Sequence, residues 1–286
     1  MSFRSELVGS FSTGSAENPT VAMMDAAFAA EGLDWRYVNC EVEPDDLPDA
    51  VAGARAMGWR GFNCSVPHKQ AVIEHLDELS PTAAITAAVN CIVRTPAGWV
   101  GHNTDGVGFA TAAEEHLELG GCRMLIVGAG GAAHAIGVEV ALRGAATVLV
   151  ANRTAARAEA LASLIAERTP ARAEVWAWPG APSTPVGLPE DTDLVVQATP
   201  VGMAPHTGAA VPVAWDGLRP GTVVADVVPN PPRTRFLDEA SARGAAVVDG
   251  TGMLVNQAAE NIRLWTDRVV DRAVLRAALE RAFAGA

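Results

Sequence analysis

One stretch constrains the fold more than any other: RMLIVGAGGAAHAIGVEVALRGAATVLVANRT, residues 123–154. A short apolar run leads into GAGG. An apolar segment with helical spacing follows, stops at Gly144, and is succeeded by a second apolar run. Strand, glycine-rich turn, helix and strand at these intervals predict a parallel sheet covered by helices. Gly128 permits the tight turn, and Gly130 lets backbone approach a pyrophosphate. The helix opening at Gly131 and Ala132 would turn its N-terminus toward that anion. Ala133 stands at the third glycine position of G-x-G-x-x-G, where the pattern tolerates Ala. The second strand ends in Asn152, Arg153 and Thr154, with Arg157 one turn on. An acidic residue here would take the ribose 2′-hydroxyl of NAD. A guanidinium instead suits a 2′-phosphate, which it can grip in bidentate fashion. The expected cofactor is therefore NADP in preference to NAD. The plainer alternative makes Arg153 a solvated strand-end residue.

The rest of the chain fits around this unit. Residues 1–105 alternate short strands with helices: ELVG, WRYVNCEV and RGFNCSV read as strands. TVAMMDAAFAAEG and DDLPDAVAGARAMG read as helices, each stopped by Gly. HKQAVIEHL reads as a helix opening after Pro67, and NCIVRTPAGWVGHNT as a hairpin. Beyond residue 106, AEVWAW, DLVVQAT, TVVADVV and AAVVDG add strands. Two helices, MLVNQAAENIRLWTD and DRAVLRAALERAFA, close the chain. The expected organisation is a first αβ domain over 1–105, a doubly wound α/β domain over 106–251, and a terminal helical segment, 252–286.

Charge narrows the partners. The chain carries 21 basic against 33 acidic residues, a net −12. Nucleic acid and anionic membranes both need a basic footprint, so neither is expected. No apolar run approaches the ~20 residues of a membrane span, and the N-terminus has no signal pattern. A cytoplasmic protein is expected. No C-x-x-C pair joins the four cysteines, which read as reduced, mostly buried thiols, and no metal-ligand cluster is evident.

Lys69 is the only lysine; the other basic residues are arginine. Arginine cannot release its proton in a protein, whereas lysine can. A helix start also disfavours a cation, so a purely structural lysine at this place has little physical motive. Lys69 is therefore a candidate proton-transfer group. The competing reading is a surface lysine at a helix start.

Taken together, the motifs resemble the shikimate dehydrogenase family over nearly the whole chain. FNCSVPHK resembles its Asn-Val-Thr-Val-Pro-Phe-Lys segment. AAVN and GHNTDGVGF resemble its Ala-Val-Asn and Asn-Thr-Asp-Gly pair. GAGGAA and NRT match its cofactor signatures, QATPVGM its Asn-Ala-Thr loop, and DGTGMLVNQA its C-terminal run. The resemblance implies an N-terminal substrate domain, onto which the C-terminal segment folds back, and a Rossmann-type NADP domain, with substrate and nicotinamide meeting between them. It implies the reversible reduction of 3-dehydroshikimate to shikimate, on the route to chorismate and the aromatic amino acids. Lys69 matches the catalytic lysine and Asp105 the catalytic aspartate. Asn18, Thr20, Ser65, Asn90 and Gln257 fall on positions for substrate contact, and Asn63 and Asn103 on positions for contact or support. Thr199, Met203 and Gly250 join the cofactor residues. Asp105 read alone is an N-cap. His68 and Cys64 read as packing residues. The chain is expected to be a monomer or homodimer.

Two positions depart from the family. Its Ser-x-Ser-Pro segment, which holds the substrate carboxylate, reads here as Asn18, Pro19, Thr20. Its Asp-x-x-Tyr ends here in Pro229, and the only tyrosine, Tyr37, lies elsewhere. Both changes fall at the carboxylate end and neither touches Lys69 or Asp105. Quinate, aminoshikimate or another cyclic polyol acid is thus an alternative substrate, and a non-catalytic dinucleotide sensor a third reading.

Overall fold

The computed structural model describes residues 4–181 and 183–284. The chain divides into two compact units. One comprises the chain up to Thr104 together with the chain from Val255 onward; the other is Asp105–Leu254.

The first unit is built on a six-stranded sheet. Its strands are β1 (Glu6–Ser12), β2 (Trp35–Glu41), β3 (Gly61–Cys64), β4 (Glu78–Leu79), β5 (Cys91–Thr95) and β6 (Gly98–His102), in the order β2-β1-β3-β5-β6-β4. The first three run parallel, and β5 and β6 form the antiparallel hairpin. Helices α1 (Thr20–Ala30), α2 (Leu47–Met57), α3 (His68–Ala71) and α4 (Pro81–Thr86) lie between them. Phe11, Trp59, Phe62 and Trp99 centre the core. Phe11 stacks on Phe62 with centroids 4.4 Å apart, and Trp99 meets Phe62 edge-on. The expected helix over HKQAVIEHL is shorter than its pattern suggests. Only His68–Ala71 is α-helical, and Val72–His75 continues as a 3₁₀ turn.

The second unit carries another six-stranded sheet, ordered β14-β13-β11-β7-β8-β9 and wholly parallel. Its strands are β7 (Arg123–Val127), β8 (Thr147–Ala151), β9 (Arg172–Val175), β11 (Leu194–Gln197), β13 (Val223–Asp226) and β14 (Ala246–Val248). A small parallel pair, β10 (Val186–Gly187) and β12 (Val213–Ala214), stands apart from it. The helices are α5 (Thr104–Ala113), α6 (Gly131–Leu142), α7 (Ala155–Arg168) and α8 (Arg235–Ser241). Strands β7, β11 and β13 are apolar and buried almost throughout, as strands covered on both faces must be. Strand β9 stops at Val175, short of the expected AEVWAW run. Trp176 and Trp178 belong to the Pro-rich loop, where the Trp176 indole donates to the Gly187 carbonyl.

Two helices end the described chain: α9 (Gly250–Thr266) and α10 (Arg272–Ala284). In the first unit α10 packs on α1. Trp265 of α9 donates its indole N–H to the Ile92 carbonyl at 2.9 Å. A Cβ on Gly61 would collide with that same carbonyl and with the Trp265 indole. Gly61→Ala is therefore expected to cost about 2–3 kcal/mol through overpacking. Thermal unfolding checks it: the midpoint should fall by several degrees.

Candidate active site

Strands β1 and β3 run parallel, and their C-terminal ends lead into the segments that carry Asn18, Thr20, Ser65 and Lys69. Ligand sites in α/β sheets form at such ends. Because β5 is antiparallel to β3, Asn90 just before it stands at the same end; Asn63 is in register with Cys91. A run of hydrogen bonds ties these positions together. The Val89 N–H donates to the Lys69 carbonyl at 2.7 Å. Asn90, 1% exposed, accepts from the Thr104 N–H at 2.7 Å through Oδ1. Thr104 immediately precedes Asp105, which is also buried. The structure thus gathers Lys69, Asn90 and the residue before Asp105 around one backbone arrangement.

Several expected residues turn out to be committed to this framework. Asn63 accepts from the Tyr37 hydroxyl at 2.9 Å and donates to the Asn90 carbonyl at 2.9 Å, so both ends of its amide are used. Asn103 donates to the Thr86 hydroxyl and the Ala88 carbonyl, holding the turn after α4. Asn18 accepts from the Thr20 N–H at 3.1 Å and donates to the Ser10 hydroxyl at 3.2 Å, and Asn39 donates to its carbonyl. In contrast, the side chains of Thr20, Ser65 and Gln257 make no hydrogen bond among the described residues. These groups remain available to a ligand.

His68 is buried, with Nε2 2.8 Å from the Val42 carbonyl, as a packing residue would be. Cys64 and Cys91 are buried and Cys40 half-buried; burial pushes the Cys64 and Cys91 thiols well up, and that of Cys122 to about 11. These thiols are poor nucleophiles at neutral pH.

The second unit holds a cavity of about 420 Å³ around the glycine-rich turn. Gly128 and Gly130 line it together with Asn152, Arg153 and Arg157 and with Thr199 to Val201. Gly128 sits at φ +125°, and a Cβ there would lie 2.6 Å from the Ala198 carbonyl oxygen. Gly130 differs: a Cβ there would meet no protein atom within 4 Å. Its lack of a side chain leaves open space at the start of α6, which is what close approach of a pyrophosphate requires. Arg153 and Arg157 are exposed, and neither has an ion-pair partner among the described residues. Among the described residues no carboxylate lines the cavity, so the donor set fits a phosphorylated ribose.

Five of the expected cofactor residues, Gly131, Ala132, Thr154, Met203 and Gly250, do not line the cavity itself. Gly131 and Ala132 open α6, and Thr154 accepts at its carbonyl from the Asn152 amide. Met203 is 43% exposed at the end of the QATPVGM loop. Gly250 begins α9, where a Cβ would meet the Val228 backbone at 2.5 Å, so packing alone demands glycine there. Sequence reasoning passed over Trp178, Pro212 and neighbouring cavity residues, which come from the irregular segments around the small sheet.

Asp226, 1% exposed at the end of β13, has its pKa raised to about 6 by burial, against hydrogen bonds that pull it down. Its folded value exceeds its unfolded one, so ionisation works against the fold. Its contribution to stability is most favourable below pH ~4 and declines as pH rises through 6, by a total of ~3 kcal/mol. Asp226→Asn should therefore unfold at a midpoint that gains on the wild type between pH 4 and pH 7. A pH series of melting curves for the two proteins checks the sign.

A parallel sheet with a glycine-rich turn, a phosphate-binding cavity and a separate polar αβ unit defines a dinucleotide-binding α/β protein. Comparison with known proteins is more specific. The shikimate dehydrogenase substrate-binding domain matches residues 17–92, the shikimate/quinate 5-dehydrogenase family residues 111–174, and the shikimate 5′-dehydrogenase C-terminal domain residues 250–280. A shikimate dehydrogenase (NADP(+)) of Desulforamulus reducens is 38% identical, over 91% of this chain and 89% of its own. The crystal structure of the 5-ketofructose reductase of Gluconobacter sp. strain CHM43 superposes with a TM-score of 0.93 at 49% identity, covering 98% and 99% of the two chains. The Thermus thermophilus shikimate 5-dehydrogenase, in complex with NADP(H) and shikimate, does so with a TM-score of 0.82 at 32% identity, covering 97% and 99%. The chain belongs to the shikimate dehydrogenase family.

Proposed function

We infer that the protein is an NADP-dependent oxidoreductase that reversibly reduces 3-dehydroshikimate to shikimate. The observation that supports this reading is the Val89 N–H bond to the Lys69 carbonyl, next in sequence to Asn90, which accepts from the Thr104 N–H, at the C-terminal end of β1 and β3. When bound, the reduced nicotinamide supplies the hydride to the ketone carbon. The developing alkoxide needs a proton and a positive neighbour, and the Lys69 ammonium offers both. In the oxidative direction the neutral amine takes the proton back. Asp105 is assigned the role of the family's catalytic aspartate. Thr20, Ser65, Asn90 and Gln257 bind the substrate's oxygen atoms. Gly128 and Gly130 admit the pyrophosphate, and Arg153 with Arg157 binds the 2′-phosphate.

The domain roles follow: substrate on the first unit, NADP on the second. Purified protein given shikimate and NADP should generate NADPH absorbance. NADPH binding without turnover of shikimate would refute the substrate assignment.

A second reading rests on the carboxylate end. Asn18 spends its amide on Thr20 and Ser10, and Pro229 has no donor where the family carries a tyrosine. A site that has lost donors for a carboxylate binds a neutral molecule with less penalty. The 49% identity to a 5-ketofructose reductase points the same way. On this reading the substrate is a neutral polyhydroxy ketone, with the chemistry at Lys69 unchanged. D-Fructose in place of shikimate in the same assay tests it.

A further inference from the structure

The loop after β11 forms one wall of the nucleotide cavity, and buried side chains that do not line that cavity hold it in place. Gln197, the last residue of β11, is completely buried. Its Oε1 accepts from the Thr199 N–H, and its Nε2 donates to the Val201 carbonyl at 3.0 Å. One amide therefore closes the turn from both sides. The same Nε2 donates to Asp226 Oδ1 at 3.1 Å. Gln197 and Asp226 are register partners on adjacent parallel strands, which brings their side chains together. Asp226 in turn accepts from the Val228 N–H at 3.0 Å and from the Thr234 hydroxyl at 2.6 Å. Thr234 caps α8 through the Leu237 N–H.

The turn held this way bears directly on the glycine-rich turn. The Ala198 carbonyl oxygen and the Thr199 methyl lie 2.6 and 3.1 Å from where a Gly128 Cβ would be. Two walls of the cavity are thus in contact, and a shift of the 198–201 loop changes the space that Gly128 leaves.

We propose that Gln197 and Asp226 are positioning residues for NADP, fixing the 198–201 loop against the glycine-rich turn without touching the cofactor. This rests on the dinucleotide reading of the cavity. Breaking the Gln197 amide strands the Thr199 N–H, the Val201 carbonyl and one lone pair of Asp226. A loop released from its clamp spends only part of its time in the binding arrangement. The apparent Kd rises by the reciprocal of that fraction.

Gln197→Met keeps the side chain's length and apolar packing and removes both hydrogen-bonding ends. Fluorescence titration with NADPH should give a Kd about 10-fold weaker, equivalent to a loop in place roughly a tenth of the time. The KM for NADPH should rise in step, while kcat at saturating NADPH stays within about 2-fold. Amide hydrogen exchange on the ligand-free protein should quicken over residues 199–201 and not in β7 or β8. Asp226→Asn is the milder variant and carries the test if the first does not fold. It should weaken NADPH by a smaller factor, and the double variant should cost less than the two effects combined, because both act on one loop. A wild-type Kd in the folded variants would overturn the proposal. So would exchange that quickens evenly through the whole second unit, the sign of general destabilisation. A wild-type protein that binds no NADPH would sink the dinucleotide reading instead, and the exchange experiment would still decide whether Gln197 clamps the loop.

Discussion

Replacing Lys69 with Ala lowers turnover by about two to four orders of magnitude, the range for a positioned proton-transfer group, and leaves NADPH binding within about 2-fold. Hydride arrival puts a full negative charge on the carbonyl oxygen, and without Lys69 that oxygen must draw its proton from water. Lys69 resides in the first unit, whereas the nucleotide cavity is built entirely from the second. The variant should therefore separate chemistry from cofactor affinity. Steady-state assays paired with NADPH titration check both halves. Near-normal turnover would refute the assignment. Arginine at the same position should rescue little, because it keeps the charge and cannot give up the proton.

Replacing Arg153 with Ala weakens NADP by about 10- to 100-fold while changing NAD less than about 3-fold. A guanidinium–phosphate contact is charge-assisted and bidentate, and its loss is felt only by the cofactor that carries the extra phosphate. Arg157, one turn on and also lining the cavity, shares the load, so the double variant should lose more than either single one. Equal losses for NADP and NAD would remove the 2′-phosphate role from Arg153. The structure leaves both guanidiniums without an ion-pair partner among the described residues, so no internal salt bridge competes for them.

The features that were legible in the sequence are those written in local spacing. The RMLIVGAGG turn, the apolar parallel strands and the Gly-stopped helices each announce themselves within a dozen residues. Lys69 stood out because the chain has no other lysine. What stayed hidden depends on residues far apart. Tyr37 looked unrelated to the FNCSVPHK stretch, yet its hydroxyl orients Asn63 across 26 residues. Asp226 and Gln197 meet across 29 residues through strand register, which no local pattern encodes. The reach of single side chains is equally hidden. Asn18 and Asn63 carry polar groups suited to a substrate, and their amides also hydrogen-bond the chain's own helix start and neighbouring backbone. A sequence shows which donors exist and not which are already engaged. The two-residue strands β10 and β12 were missed because a pair of residues has no periodicity to read.

The chemistry assigned to Lys69 and the nucleotide cavity is the same for either substrate, so a direct comparison of the two ketones distinguishes them. The measurement that bears on it most directly is kcat/KM for NADPH oxidation with 3-dehydroshikimate and, in parallel, with 5-ketofructose. The expected result is turnover of 3-dehydroshikimate that depends on Lys69 and prefers NADPH to NADH. Turnover of 5-ketofructose alone would contradict the acid substrate and support the neutral one, and turnover of neither, with NADPH bound, would contradict both substrate readings.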